Sequence, residues 1–289
     1  MGIFDGCLLA CDIDGTLISG ELLPERNVEK IEYFVSEGGA FSLATGRTAA
    51  ALSMITSKIK NISPSVLSNG CVIYDFKSNK PLMQKCLSKN LLNMVKDVIE
   101  QCSIGIEMHS ADKIFVPSRS AASDLHESFE LMTAEFISAD EALGYDINKI
   151  IYFVEKEEQY EMLEKLAQKY NGMCTFYRTC TFIGGVKQNY YEQIPTGVSK
   201  ADALLELSKM LGIKKGGFFA IGDYYNDVPM LEAADISAVP KEAPNDVKKT
   251  ADKVVGTVSN GAVADFIEYL EVRQRDGQAN KTQSAKNSV

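Results

Sequence analysis

The sequence predicts an α/β protein, a parallel-sheet core with an α+β unit inserted into it. Two observations lead there. Short apolar runs alternate with helical patterns in β-α-β-α-β order near the N-terminus, and the same rhythm returns after residue 199. Between these stretches, residues 81–195 have a different texture, with helical patterns set among short strand-like segments.

The first apolar run, Cys7 to Ala10, reads as a buried strand leading into Asp12-Ile13-Asp14-Gly15-Thr16. A strand that ends in Gly-Thr can bend, so one carboxylate can stay in line with the sheet while the other swings over it. Carboxylates at a strand end are costly to desolvate, and a bound cation is the usual compensation. Pro24 to Glu37 carries Val28, Ile31 and Val35 at helical spacing and stops at Gly38-Gly39. Ala40 to Leu43 reads as a second strand ending in Ala44-Thr45-Gly46-Arg47, with a helix following to Lys60. Val66-Leu67 reads as a third parallel strand, ending in Ser68-Asn69-Gly70.

In the inserted unit, Leu91 to Cys102 and Gln159 to Tyr170 are helical, while Ile104 to Met108 and Ile150 to Val154 are extended. Pro81 and the Pro195-Thr196-Gly197 turn are the expected hinges. After it, Ser199 to Leu211 sets Ala203, Leu204, Leu207 and Leu211 on one helix face, and Gly216 to Ile221 is a strand ending in Gly222-Asp223. The expected boundaries are 1–80 and 196–271 for the core, 81–195 for the insertion, and 272–289 for a polar, disordered tail.

An apolar fraction of 45% over 289 residues supplies an ordinary, large core. A net charge of -9 argues against nucleic acid as a partner, because phosphate backbones select basic faces. It leaves room for a small phosphorylated ligand beside a cation and a local lysine. Seven cysteines with no Cys-x-x-Cys pair fit reduced thiols in the cytoplasm. No run is long enough for a membrane span, and no signal peptide is evident.

Four pieces fall at strand ends or helix starts of the core: Asp12/Asp14, Thr45-Gly46, Lys200, and Gly222-Asp223-Tyr224-Tyr225-Asn226-Asp227. Each alone has an ordinary structural reading. Thr45 could cap a helix, Lys200 could be solvated, and Asp223-x-x-Asn-Asp could cap the helix that follows. Strand ends of one parallel sheet share an edge, so the four can converge. Their chemistry is complementary: Asp12, Asp14 and Asp223 are hard oxygen donors suited to Mg²⁺, and His109 and His126 both lie in the inserted unit. Thr45 offers a hydroxyl and a helix N-terminal amide to an anion, and Lys200 a point charge for a phosphate oxygen.

Together the motifs resemble the haloacid dehalogenase-like hydrolases, specifically the Cof-type phosphatases. Asp12-Ile13-Asp14-Gly15-Thr16-Leu17, Ala44-Thr45-Gly46-Arg47, Gly197-Val198-Ser199-Lys200 and Gly222-Asp223-Tyr224-Tyr225-Asn226-Asp227 match the four family motifs in order. Ala201, where the family often has Gly, and Pro240 depart from the pattern outside these motifs. The resemblance implies a Rossmann-like core with a large, mobile α+β cap. It implies that Asp12 is a nucleophile forming an aspartyl-phosphate and Asp14 a general acid and base. Mg²⁺ is expected on the Asp12 carboxylate, the Asp14 backbone carbonyl and Asp223. Thr45, Gly46, Lys200 and Asn226 are expected to bind the phosphoryl group, with Asp227 supporting the metal or Lys200 from behind.

The expected activity is Mg²⁺-dependent hydrolysis of a small phosphorylated metabolite, a sugar phosphate or phosphorylated cofactor. A phosphosugar mutase or phosphotransferase is the alternative, and a non-enzymatic phosphometabolite binder a third reading. In the cap, His109, Arg178, Lys187 and Tyr190 are polar candidates for substrate contact, although such residues are ordinarily solvated.

Overall fold

The computed structural model describes residues 2–129, 134–183 and 185–286. The chain opens with β1 (Leu8–Cys11), α1 (Glu25–Ser36), β2 (Ala40–Leu43) and α2 (Ser53–Lys58). β1 is apolar and buried on both faces, as a strand inside a helix-covered parallel sheet must be.

β3 (Ser65–Leu67), β4 (Val72–Asp75) and β5 (Lys80–Gln84) follow as a three-stranded antiparallel sheet. This corrects the expectation that Val66-Leu67 belongs to the parallel sheet. β3 runs parallel to the end of β2, with a bridge between Val66 and Ala44 and a bond from the Leu43 amide to the Ser65 hydroxyl, but its ladder is the antiparallel one with β4. The cause is the turn at 68–70, where Ser68, Asn69 and Gly70 take φ of 50°, 57° and 102° and send the chain straight back. Gly70 also permits a close approach, since a Cβ there would lie 2.2 Å from the Ser199 carbonyl oxygen. Pro81, expected as a hinge, is instead paired with Tyr74 inside β5. An edge strand tolerates it because its missing N–H can face outward.

The inserted unit comprises α3 (Asn93–Gln101), β6 (Gly105–His109), β7 (Ile114–Ser118), α4 (Ala121–Phe129), α5 (Ala139–Ala142), β8 (Lys149–Val154), α6 (Glu157–Ala167), β9 (Cys174–Ile183) and β10 (Val186–Pro195). Its strands form one antiparallel sheet in the order β7-β6-β8-β10-β9. On one face Ile106, Met108, Ile150, Tyr152 and Tyr191 pack with Val95, Val98, Leu163 and Leu166 of α3 and α6. Register and pleat put Glu107, His109, Lys149, Ile151, Phe153, Tyr190 and Glu192 on the other. Ala122 of α4 covers Ile151, Phe153 and Tyr190 there, and the Lys149 end of the face meets the core.

The core resumes with α7 (Lys200–Met210), β11 (Phe218–Ile221), α8 (Val228–Ala233), β12 (Ile236–Val239), β13 (Lys253–Val254) and α9 (Ala262–Lys286). Five parallel strands stand in the order β13-β12-β11-β1-β2. Leu9, Cys11, Phe41, Leu43, Phe219 and Ile221 pack with Ile31, Phe34, Phe266 and Ile267 on the α1/α9 side. Leu8, Ala10, Phe218 and Ala220 pack with Leu204, Leu207 and Met230 on the α7/α8 side. The sheet grows from β1 toward β2 one way and through β11 the other, so the carboxyl ends of β1 and β11 flank the point of reversal. Ligands of open α/β sheets collect there.

α9 continues past residue 271, so the polar stretch read as a disordered tail is helical through Lys286; residues 287–289 lie outside the described residues. Glu271 accepts from the Tyr33 hydroxyl of α1 at 3.0 Å and pairs with Arg275 one turn further along. Among the described residues, no helix is long and apolar enough to cross a membrane.

Candidate active site

The backbone of Asp12 extends the β1–β11 ladder by donating to the Ile221 carbonyl at 3.0 Å. Its carboxylate therefore emerges at the point of strand reversal, almost fully buried. The chain then turns sharply. The amides of Leu17 and Ile18 both reach back to the Ile13 carbonyl, and Gly15 takes φ +80°. A Cβ at Gly15 would lie 2.4 Å from Asp223 Oδ2, so glycine is what lets this turn approach the loop after β11.

Lys200, the first residue of α7, is 3% exposed and sits between two acids. Its Nζ donates to Asp12 Oδ1 and to Asp227 Oδ1, each at 2.7 Å. The other oxygen of Asp227 accepts the amides of Asp223 and Tyr224 at 3.0 and 3.2 Å. Asp227 thus closes its own loop backward and makes no side-chain cap on α8. Asp223 is oriented by the Thr16 hydroxyl, which donates to Oδ1 at 3.2 Å.

Oxygens of Asp12, Asp223 and Asp227 lie within 4.8 Å of one another. Three carboxylates face one ammonium, so this buried cluster carries surplus negative charge. Burial and then the neighbouring Asp227 push the Asp12 carboxyl well above the usual carboxylate range, against the pull of Lys200. Burial and Asp227 likewise push Asp223 up to about 7. Burial opposes the charge on Lys200, but Asp12 and Asp227 outweigh it and hold the ammonium above its ordinary range. An all-oxygen, electron-rich donor set of this kind fits a hard divalent cation. Both oxygens of Asp227 are already engaged, whereas Asp12 and Asp223 each keep an oxygen with no hydrogen bond among the described residues.

The remaining expected residues are less uniform. Thr45 is buried and its hydroxyl accepts the Arg47 amide at 3.2 Å. Its own amide donates to Val66, and the next helical turn begins only at Ala49. The helix N-terminal amide expected at Thr45 is therefore committed to the bridge with Val66, and only the hydroxyl remains. Gly46 follows in the same loop, with no side chain to fill the space beside Asn69. Asn226 stands exposed in the loop after β11. Asp14 is not one of the three acids whose oxygens gather in the acidic cluster. Its exposed carboxylate receives two bonds from the Arg47 guanidinium, from Nε at 2.9 Å and Nη2 at 2.8 Å.

The cap contributes Glu192, from the Glu192-Gln193-Ile194 segment that also resembles the subfamily, and Lys149, which sequence patterning missed. Lys149 donates to the Gly46 carbonyl at 3.0 Å, and Glu192 accepts from Asn69 at 3.4 Å and from Thr179 at 3.0 Å. Their alternation within β8 and β10 was legible; that this face meets the core was not. His109 and Tyr190, expected as solvated, are buried. Both histidines bind Glu107, at 2.9 and 3.1 Å. Arg178 pairs with Glu157 and Glu164 and lies over the Tyr160 ring.

The family profile of haloacid dehalogenase-like hydrolases matches residues 9–267. A 5-amino-6-(5-phospho-D-ribitylamino)uracil phosphatase of Bacillus subtilis is 23% identical over 283 residues, covering 92% of this chain and 98% of the relative. A haloacid dehalogenase-like hydrolase from Bacteroides thetaiotaomicron superposes with a TM-score of 0.80 at 20% identity, covering 91% of this chain and 99% of the other. A subclass IIB sugar phosphatase superposes with a TM-score of 0.74 at 20% identity, over 91% and 98% of the two chains.

Proposed function

The chain belongs to the haloacid dehalogenase-like hydrolase family, in its Cof-type phosphatase branch, and from that premise we propose a Mg²⁺-dependent hydrolysis of small phosphorylated metabolites at the Asp12 cluster. The observation that carries the reading is Lys200 held between Asp12 and Asp227 with Asp223 alongside, at the reversal point of the sheet. Sugar phosphates and ribityl phosphates are the substrate types, by analogy with the two named phosphatases. The seven free cysteines support a reducing, cytoplasmic setting.

In this reading Asp12 and Asp223, with the Asp14 backbone carbonyl, hold Mg²⁺. The ion supplies charge neutralisation, so that a carboxylate nucleophile can meet a phosphate dianion. Lys200, the Thr45 hydroxyl, Gly46 and Asn226 receive the phosphoryl oxygens, and Asp227 fixes Lys200 and the loop of Asp223. An Asp12 oxygen forms a bond to phosphorus while the ester P–O bond breaks, giving an aspartyl-phosphate. Asp14 gives its proton to the departing alkoxide, then takes one from the water that cleaves the acyl phosphate. Alcohol and inorganic phosphate leave, and both aspartates return to their starting states. In this structure the Asp14 carboxylate is bound by Arg47, a bond it exchanges for the leaving oxygen when it acts.

Phosphate release across a panel of phosphate esters, with Mg²⁺ and after chelation, tests this. Steady release that requires the metal supports hydrolysis. Isomer interconversion without release would replace it with a mutase, and unaltered turnover after exhaustive chelation would remove the metal.

A further inference from the structure

The core-facing side of the cap sheet holds a lysine with no acid paired to it among the described residues. Lys149 opens β8 and is 5% exposed. Its Nζ donates to the Gly46 carbonyl, and it pairs with no carboxylate among the described residues. An ammonium has three donors, and a buried one is normally matched by an acid. Here the acceptor found among the described residues is a neutral peptide oxygen, in the loop beside Thr45.

The acids on the same face are engaged elsewhere. Glu107 holds one histidine on each oxygen. Glu192 accepts from Thr179 and Asn69. His109 lies directly opposite Lys149 on β6 and is likewise buried. A carboxylate can only accept, so His109 Nε2 carries the proton that goes to Glu107. Nδ1 is buried with no partner. Burial, helped by Lys149, holds this ring down to about 4, so it is neutral near pH 7 and Nδ1 is a lone-pair acceptor. The hydroxyls of Thr48 and Ser68, on the two core loops that meet Gly46 and Asn69, are also buried without partners. The Ser68 amide bonds the Arg47 carbonyl, so these loops form one floor.

Resting on the phosphatase reading above, we propose that Lys149 is a specificity residue for a phosphomonoester whose alcohol portion carries a second anionic group, a carboxylate or another phosphate, next to a hydroxyl that His109 Nδ1 accepts. The anion replaces or joins the Gly46 carbonyl at the ammonium. A neutral polyol would leave the lysine's charge uncompensated.

The test uses the full-length protein with Mg²⁺ and matched esters: glucose 6-phosphate against 6-phosphogluconate and glucose 1,6-bisphosphate, and glycerol 3-phosphate against 3-phosphoglycerate. Phosphate release and competition against p-nitrophenyl phosphate are both measured. The anionic member of at least one pair should exceed its neutral partner by about ten- to a hundredfold in kcat/KM or inhibition constant, the scale of a charge-assisted hydrogen bond. The carboxylate and bisphosphate arms show which anion is selected. Lys149→Gln should collapse that ratio, mainly through KM, and Lys149→Arg should keep most of it. A ratio between two substrates does not depend on the amount of folded enzyme. Equal handling of neutral and anionic members by the wild type overturns the proposal, as does a Lys149→Gln ratio like that of the wild type. Both of those results leave p-nitrophenyl phosphate hydrolysis intact in the wild type. Absence of that hydrolysis would instead fail the phosphatase reading, and this inference with it.

Discussion

Two buried charge clusters, one in the core and one in the cap, are built on opposite logic. In the core, Asp12, Asp223 and Asp227 crowd one lysine, and both Asp12 and Asp223 are pushed toward their neutral forms. In the cap, Glu107 is fully buried, yet His126 and His109 outweigh the burial and hold its carboxyl down to about 2. One cluster is left short of positive charge, and in the other the carboxylate meets a histidine on each oxygen. The first is arranged for something that arrives, and the second holds the cap sheet to α4, whose His126 reaches Glu107 and packs on Phe153. Burial of charge alone therefore does not mark a site; unbalanced burial does.

The largest effect should come from the unbalanced cluster. Asp12→Asn should lower phosphate release by roughly four orders of magnitude or more, as loss of a nucleophile does. Asp14→Asn should cost about 10²- to 10⁴-fold, with the smaller losses on esters whose leaving group needs no proton. If Asp12→Asn keeps appreciable turnover, the core cluster is not the reacting centre and the contrast with the cap collapses.

Next in size is the balanced cluster. Glu107→Ala removes the acid that both imidazoles bond and should destabilise the protein by about 3–5 kcal/mol, the range for breaking a buried charged network. Denaturant unfolding measures it. A change below the error of that measurement would show that Glu107 is not what joins the sheet to α4.

Cation binding sharpens the contrast further. Mg²⁺ at a hundred times its dissociation constant should stabilise the wild type by about 2.7 kcal/mol. Asp223→Asn should abolish most of that gain, whereas Glu107→Ala should retain it. Thermal melts with and without Mg²⁺ read both, and a gain unaffected by Asp223→Asn would place the ion elsewhere.

The smallest effect is a difference in sign with pH. Without metal, the folded Asp223 carboxyl takes a proton as pH falls through about 7, whereas its unfolded counterpart waits until about 3.8. Acidification from 7 toward 4 therefore favours the folded core. His109, down to about 4, and Glu107, down to about 2, refuse protons that the unfolded chain accepts below 6.5 and 4.5. Acidification over that window weakens the cap. Hydrogen exchange of the metal-free protein, resolved by region between pH 4 and 7, should show the two slopes opposed. Parallel slopes would contradict the assignment of these groups. Mg²⁺ affinity should also decline below pH 7, as protons compete for Asp223.

Much of this was legible in the chain. Leu8 to Cys11, Ala40 to Leu43 and Phe218 to Ile221 are short, wholly apolar or nearly so, with a glycine shortly before each, and each became a buried parallel strand. The residues after them supplied the site because strand ends of a parallel sheet share an edge. Val66-Leu67 had the same local pattern and does run parallel to the end of β2, yet its ladder is the antiparallel one with β4, because backbone angles at Ser68 and Asn69 turn the chain back, and those angles carry no apolar signature. The chain past residue 271 looked too polar to fold, but α9 carries on to Lys286, with Arg275 paired to Glu271, which Tyr33 anchors from 238 residues away in sequence.

The sequence by itself determined the sheet, the order of its motifs and the chemical types of the acids, since periodicity and residue chemistry are local. Tertiary structure alone decided how those groups share charge. It turned both oxygens of Asp227 inward and set Lys200 between two acids. It swung Asp14 onto Arg47 and brought Lys149 from the cap over Gly46. Electrostatic balance depends on distances between residues far apart in the chain and on the water that burial removes, and neither exists until the fold has closed.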